Sequence, residues 1–207
     1  MPVKPAYWDG AKRALARRDP VLAAIMRRHP RVHIEPRGEP FYTLTRAIVG
    51  QQISVAAAQS VWNKFADRVP AVTPEAVLGV KSGHLRACGL SGRKTEYIAD
   101  LAQRFADGHV HVHRWPQMSD EEVIEDLTQV RGIGRWTAEM FLMFNLLRPD
   151  VFPLADLGLQ KGLRVAYHGG RKISLKTMRS RGETWRPYRS VATWYLWRSL
   201  DPVPVDY

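Results

Sequence analysis

LTQVRGIGRWTAEMFLMFNLLRPDVFPLADLGLQKG, residues 127–162, joins a glycine-containing turn to a carboxylate, Asp156, further along the chain. The Gly-Ile-Gly turn at 132–134 interrupts two apolar segments, and glycine lets a backbone approach another group closely. Amide groups in a turn that opens a helix can bind a phosphate, because the positive end of the helix dipole lies behind them. Asp156 follows the extended, proline-containing run 151–154, so it is predicted to begin another helix.

The rest of the sequence also indicates helices. Typical starting residues predict helices that begin at Asp19-Pro20, Ser54, Thr73-Pro74 and Ser91, with a capping box at Ser119–Glu122. Residues 31–40 are predicted to be a connector, a helix follows over 41–49, and residues 51–53 interrupt the helical pattern. Signals for strands and β-hairpins are absent. The tail DPVPVDY is predicted to be irregular.

The helix after the glycine turn is apolar on more than one side. Its apolar residues recur at helical spacing from Trp136 to Leu147, and Phe141 lies on the other flank. A helix that is apolar all round is normally buried between layers.

The charge of the chain favours a polyanionic partner. There are 31 Lys and Arg residues against 20 Asp and Glu residues, a formal net charge of +11. The one cysteine, Cys88, excludes an internal disulfide, a four-cysteine zinc site and a cysteine-bound iron-sulfur cluster. The HVHVH run at 109–113 lacks a carboxylate or cysteine close by in sequence, so we interpret it as a loop or short extended segment.

The N-terminal sequence shows no signal-peptide pattern, and no run is long and apolar enough to span a membrane. We expect a monomeric protein without membrane contact in the cytoplasm, associated with the nucleoid if the source is bacterial.

Four sequence blocks occur in an order that resembles the helix-hairpin-helix DNA glycosylases, and within them the 3-methyladenine DNA glycosylase II group. They are IVGQQIS at 48–54, GIGRWTA at 132–138, VFPLADLGL at 151–159 and WRPYRSVATWYLW at 185–197. The resemblance implies an all-α fold of two helical lobes with a DNA-binding cleft and a helix-hairpin-helix motif, without the N-terminal β domain of some members. It places one lobe at 41–145 and the other at 1–40 plus 146–207.

The same resemblance implies that Asp156 is the catalytic residue. A base in duplex DNA is stacked, so such an enzyme rotates the nucleotide into a pocket, fills the gap and stabilises the sugar cation that forms as the base leaves. Ordinary glycosidases use two carboxylates, one of them to protonate the leaving group. Alkylated purines already carry a positive charge, so one carboxylate suffices. Aspartate is also a common N-cap, and the two roles are compatible.

By resemblance Trp136 and Trp197 line the base pocket, Met140 forms one aliphatic wall, and Tyr188 is close enough in sequence to contribute. The aromatic rings suit an electron-poor base. Met140 stands where the best-known pocket pattern has a tyrosine, which leaves the substrate range open. Trp136 stands where the strand-cutting glycosylases have a lysine that forms a Schiff base with the sugar. The tryptophan therefore indicates a monofunctional, hydrolytic enzyme.

The remaining site predictions concern DNA and a cation. Gln52 is predicted to be the wedge that fills the gap, with a turn that makes no DNA contact as the alternative. Backbone phosphate is expected at Gly132, Ile133, Gly134, Arg135 and Lys94. No cofactor is required by this chemistry, but the resemblance implies a site for a monovalent cation at the carbonyls of Thr128, Val130 and Ile133.

The sequence therefore predicts a monofunctional DNA glycosylase that removes alkylated purines, such as 3-methyladenine, from damaged double-stranded DNA. Two alternatives remain: a bifunctional glycosylase/lyase for oxidised bases, and a non-catalytic helix-hairpin-helix DNA-binding protein. The sequence leaves the preferred lesion open.

Overall fold

The computed structural model describes residues 4–69 and 71–200, and over these ranges the chain is helical and contains no β-strand. The expected all-α class is confirmed. The α-helices, in chain order, are α1 Trp8–Arg18, α2 Pro20–Arg28, α3 Pro40–Gly50, α4 Val55–Arg68, α5 Pro74–Leu78, α6 Ser82–Ala87, α7 Gly92–Ala106, α8 Asp120–Thr128, α9 Arg135–Phe144, α10 Leu157–His168, α11 Leu175–Glu183 and α12 Arg189–Leu200. A 3-10 helix covers Val112–Gln117. Among these helices none is long and apolar enough to cross a membrane. The predicted irregular tail lies outside the described residues.

The helices begin where local capping predicts. Side chains that accept a hydrogen bond from backbone N–H groups of the first turn precede seven helices, at Asp19, Ser54, Thr73, Ser91, Ser119, Asp156 and Ser174. The predicted capping box is present, because Glu122 Oε2 also accepts from the backbone N–H of Ser119 at 2.7 Å. Such caps satisfy amides that have no partner within the helix.

The described residues divide into two compact units, one of Arg37–Phe141 and the other of residues 4–36 together with 142–200. Both predicted boundaries lie four residues later in the sequence than the observed ones. The prediction placed them at residues 41 and 146, and the structure places them at 37 and 142. At the first boundary the hydroxyl of Thr43 donates to the carbonyl of Arg37 and holds this residue to α3. At the second, Phe144 packs its ring against Trp194 of α12.

The Arg37–Phe141 unit is built around α3 and α7, which pack on each other, with α4 against α3 and α5 against α7. Asp126 of α8 is buried and accepts hydrogen bonds from the indole of Trp115 at 2.8 Å and the backbone N–H of His111 at 3.0 Å. The Nδ1 atom of His111 lies 2.6 Å from the same carboxylate. The HVHVH segment therefore has a carboxylate partner that the sequence spacing did not indicate. Residues 109–111 form a loop, as predicted, and the 3-10 helix Val112–Gln117 includes the last two residues of the run.

In the other unit α12 packs on α1, α2 and α10. Asp19 joins distant parts of this unit: its Oδ1 caps α2, and its Oδ2 accepts from Tyr167 Oη at 2.7 Å and Trp185 Nε1 at 2.9 Å. Burial of the side chain is the main cause that raises the pKa of Tyr167 above its usual value, and the hydrogen bond to Asp19 raises this pKa further. The residue predicted as a helix start is also the centre of a buried polar network.

The helix after the glycine turn is shorter than predicted, and its first two residues are exposed. α9 ends at Phe144, and Leu147 lies beyond it with a φ of 52°. The N–H of Arg148 turns back to the carbonyl of Leu142, at 2.9 Å. The second half of α9 is buried, but Trp136 in the first turn is 38% exposed. Thr137, Ala138 and Glu139 are buried as well, so the predicted burial is confirmed for α9 beyond its first two residues, apart from the partly exposed Met140.

Candidate functional site

The predicted hairpin lies between α8 and α9. The N–H of Val130 donates to the carbonyl of Leu127, and the N–H of Ile133 donates to the carbonyl of Val130, both at 3.1 Å. Val130 and Ile133 are buried, so their side chains hold the turn against its own unit. Gly134 occupies the N-cap position of α9, where its carbonyl accepts from the N–H of Ala138.

The two glycines of the hairpin have different surroundings. Gly132 has a φ of 86°, and a Cβ added there would lie 2.2 Å from the ring of Tyr97 on α7. Gly132 therefore makes room for the side chain of Tyr97, which belongs to the protein and not to a ligand. A Cβ added at Gly134 would meet no atom within 4 Å, and this residue is exposed. Gly134 is the glycine that leaves space outside the hairpin.

The N-terminus of α9 differs from the capped helices of the chain. Glycine has no side chain with which to cap the first amides, which have no partners within a helix. The same amides carry the partial positive charge of the helix dipole. This combination suits a phosphate group.

Arg135 and Lys94 are both engaged by groups of the protein. The guanidinium of Arg135 donates to Glu121 at 2.9 Å and to Glu139 at 3.2 Å. The hydrogen bond with Glu121 raises the pKa of Arg135 and lowers that of Glu121. The ammonium of Lys94 donates to the carbonyl of Val49 at 2.7 Å, and its partial burial lowers the pKa of Lys94. Their contact with phosphate remains a prediction.

The turn between α3 and α4 is attached to the hairpin. The side-chain amide of Gln51 donates to the carbonyl of Gly132 at 2.9 Å, a contact that the sequence pattern did not reveal. Gln52, the predicted wedge, is exposed and has a φ of 57°. Ile53 beside it is 40% exposed. The turn therefore presents one polar and one apolar side chain to solvent.

The predicted cation ligands lie along the same hairpin. The hydroxyl of Thr128 donates to the carbonyl of Ile124, and the carbonyl of Val130 accepts from Ile133. No cluster of three or more His, Cys, Asp or Glu side chains occurs within residues 4–69 and 71–200 that could hold a metal ion. A monovalent cation at the carbonyls of Thr128, Val130 and Ile133 stays a prediction.

Asp156 lies at the start of α10, where hydrogen bonds from Leu159 and Trp197 hold its carboxylate. The Oδ1 atom accepts from the backbone N–H of Leu159 at 2.6 Å and from Trp197 Nε1 at 2.9 Å. The backbone N–H of Asp156 donates to the carbonyl of Pro153 at 2.8 Å. Asp156 is thus the N-cap of α10, and its carboxylate is also contacted by a second helix, α12.

The contact between Asp156 and Trp197 depends on close packing of α10 against α12. A Cβ at Gly162 would lie 3.0 Å from that of Leu196, and one at Gly158 would lie 3.1 Å from Trp197 Nε1. Gly158 and Gly162 are one helical turn apart, on one face of α10. Sequence reasoning missed this function, although the spacing of the two glycines could have indicated a close helix contact.

The predicted pocket residues occupy several places. Trp197 has its ring stacked on Phe144, with centroids 6.0 Å apart and planes at 16°. Tyr188 immediately precedes α12 and lies nine positions before Trp197. Along a helix, nine positions correspond to a rise of about 13 Å. Trp136 and Met140 lie one turn apart on α9, in the Arg37–Phe141 unit. Of these four residues, Trp197 donates a hydrogen bond to Asp156.

A comparison with protein families shows to which family the chain belongs. The family described as HhH-GPD superfamily base excision DNA repair protein matches residues 45–187, which include the hairpin and Asp156. The chain belongs to the HhH-GPD superfamily. Its expected fold and family are thereby confirmed.

Individual members of the superfamily are similar over most of their length. DNA-3-methyladenine glycosylase 1 of Schizosaccharomyces pombe is 35% identical over 165 residues, which are 78% of this chain and 72% of that protein. The crystal structure of a DNA-3-methyladenine glycosidase from Bacillus halodurans is 34% identical with a TM-score of 0.82, covering 90% of this chain and 87% of the other. The Schizosaccharomyces pombe enzyme Mag1, in complex with abasic DNA, is 30% identical with a TM-score of 0.81. The match covers 95% of this chain and 100% of the other.

Proposed function

We propose that this protein is a monofunctional DNA glycosylase that removes alkylated bases, such as 3-methyladenine, from double-stranded DNA. The observation that carries the proposal is the carboxylate of Asp156, held by Leu159 and Trp197 in a chain of this superfamily. Relatives that act on 3-methyladenine match this chain over most of its length. We further propose that it acts as a monomer, in the compartment that holds the chromosome.

The proposed reaction breaks the bond between C1′ of the sugar and the nitrogen of the base. The bonding electron pair leaves with the base and neutralises the positive charge of an alkylated purine. The Asp156 carboxylate stabilises the positive charge that develops on the sugar. Water then bonds to C1′ and loses a proton, and the products are the free base and an abasic site.

Trp136 supports hydrolysis over a lyase reaction. A strand-cutting enzyme needs an amine that forms a covalent bond with C1′. Tryptophan stands at the position that carries this lysine in the strand-cutting relatives. The bifunctional alternative accordingly requires a different amine.

The Arg37–Phe141 unit supplies the proposed DNA contacts. Gly134 and the uncapped start of α9 would bind a backbone phosphate, and a monovalent cation at the carbonyls of Thr128, Val130 and Ile133 would reinforce it. Gln52 would fill the space left by the flipped nucleotide. These groups recognise the DNA backbone and its gap rather than a base sequence.

Asp156→Asn tests the catalytic assignment. Asparagine caps helices about as well as aspartate, and its side-chain oxygen can still accept from Trp197. Only the negative charge is lost, so the single-turnover release of a methylated base should fall at least about a hundredfold. Binding of lesion-bearing duplex and the thermal unfolding temperature should stay near the wild-type values.

Near-wild-type base release by this variant would refute the catalytic role and favour the non-catalytic DNA-binding alternative. Borohydride added during the reaction distinguishes the other alternative, because a lyase leaves a trapped protein–DNA adduct and a monofunctional enzyme does not. Alkali treatment should reveal the abasic sites formed by the wild-type enzyme.

A further inference from the structure

We infer that Trp197 and Gly158 form a positioning pair that sets the orientation of the Asp156 carboxylate, so that the indole N–H contributes to base release through Asp156. This inference rests on the proposed function. It gives Trp197 a role distinct from that of a ring in the base pocket, and it gives Gly158 a role that is not evident from its position in the sequence.

The hydrogen bonds to Asp156 restrain its side chain from two directions. The N–H of Leu159 belongs to the first turn of the helix that Asp156 caps, so it restrains the carboxylate relative to α10 alone. Trp197 donates from α12, 41 positions away in the sequence. Because Leu159 and Trp197 both bind Oδ1, the packing of α10 on α12 contributes to the orientation of the carboxylate.

The indole of Trp197 is itself fixed. Its ring is stacked on Phe144 and lies edge-on to Trp194, with centroids 6.0 Å and 6.4 Å away. These contacts restrict rotation of the ring, so its N–H points at Asp156 without the mobility of a surface donor. A rigid donor is the kind that preorganises a catalytic group.

Gly158 makes the hydrogen bond sterically possible. A Cβ at this position would lie 3.1 Å from Asp156 Oδ1, 3.1 Å from Trp197 Nε1 and 3.2 Å from Trp197 Cδ1. The added methyl would thus touch both partners, closer than carbon atoms normally approach. The indole or the carboxylate would have to move by a few tenths of an ångström.

The first test removes the donor and keeps an aromatic ring. Trp197→Phe should lower the single-turnover release of a methylated base about tenfold to a hundredfold, the range expected for a hydrogen bond to a charged group. The affinity for duplex with an abasic-site analogue should change less than about twofold. Trp8→Phe is the matched control, because Trp8 is also a buried indole of the same unit and lies in α1, outside the site. The control should lose stability but retain the rate.

The second test leaves Trp197 intact. Gly158→Ala should lower the release rate several-fold while thermal stability is kept, since alanine favours a helix more than glycine does. Gly10→Ala in α1 is its control, because a Cβ there meets no atom within 4 Å. The control should leave base release unchanged. If Gly158→Ala retains the full rate, the steric part of the inference is wrong.

A double-mutant cycle separates positioning from stacking on the base. In the Asp156→Asn background, Trp197→Phe should cause no further loss, because the charge that Trp197 orients is absent. An equal loss in both backgrounds would assign Trp197 to base stacking and overturn the inference. If Asp156→Asn itself retains base release, the proposed function fails first. If it is inactive while Trp197→Phe and Gly158→Ala act as wild type, only this inference fails.

Discussion

Gln52 combines an exposed side chain with a backbone conformation that residues other than glycine seldom adopt. Its φ of 57° lies in the left-handed region, which costs about 1–2 kcal/mol for a residue with a Cβ. Strain of this kind is retained where the surrounding structure enforces it, often at functional sites. The neighbouring bond from Gln51 to Gly132 holds the turn in place. The side chain of Gln52 is therefore displayed at a defined position.

Gln52→Gly should therefore lower the excision activity without lowering the stability of the fold. Glycine relieves the strain but adds freedom to the unfolded chain, so the free energy of unfolding should be unchanged or rise by up to about 1 kcal/mol. Excision from duplex DNA should fall about tenfold, with a smaller loss on single-stranded substrate, because only a duplex leaves a gap to fill. Gln52→Ala, which keeps the strain, should show the same difference between substrates. Equal losses on both substrates would identify Gln52 as a turn residue without a DNA contact.

At the scale of the secondary-structure elements, the hairpin between α8 and α9 has an inward and an outward glycine. Gly132 accommodates the ring of Tyr97 and a left-handed turn, whereas Gly134 faces open space at the start of α9. The first glycine therefore serves the fold. The second is available to a ligand.

Alanine at these two positions should have opposite effects. Gly132→Ala adds a steric clash to an unfavourable φ and should reduce the free energy of unfolding by about 2–4 kcal/mol. Gly134→Ala should change it by less than about 1 kcal/mol but weaken DNA binding about tenfold, because the methyl occupies the approach of the phosphate. Urea denaturation and binding to undamaged duplex measure the two effects. Unchanged affinity in the Gly134→Ala variant would place the phosphate elsewhere.

At the scale of the whole molecule, the excess of basic residues is the dominant electrostatic feature. The net charge of +11 favours DNA of any sequence, and the hairpin offers backbone amides rather than groups that read base edges. Some of these charges are used internally, since Arg135 is paired with Glu121 and Lys94 with the carbonyl of Val49. A phosphate would have to compete with these internal partners for Arg135 and Lys94.

Affinity for undamaged duplex should fall steeply between about 50 and 200 mM salt. We expect a slope of log Kobs against log salt steeper than about −3, equivalent to three or more neutralised phosphates. Lys94→Met should leave this slope unchanged if Lys94 binds only the carbonyl of Val49 in α3. It should make the slope shallower by about 0.9 if Lys94 contacts a phosphate. A flat dependence in the wild-type protein would contradict the electrostatic basis of the proposed DNA binding.

Local interactions explain how much could be predicted from the sequence. The helix starts at Asp19, Ser54 and Ser119 follow from side chains that bind amides two or three residues ahead. Such contacts need no knowledge of the rest of the chain. The all-α class follows from the same signals, and the order of the four blocks was sufficient to predict the family.

The candidate site depended instead on contacts between residues far apart in the chain. Trp197 reaches Asp156 across 41 positions, Gln51 reaches Gly132 across 81, and Trp185 reaches Asp19 across 166. Each contact exists because packing brings separate segments within hydrogen-bond distance, and no local pattern encodes that packing. The sequence could therefore identify Asp156 as a carboxylate at a helix start, whereas the tertiary structure alone revealed which side chain orients it.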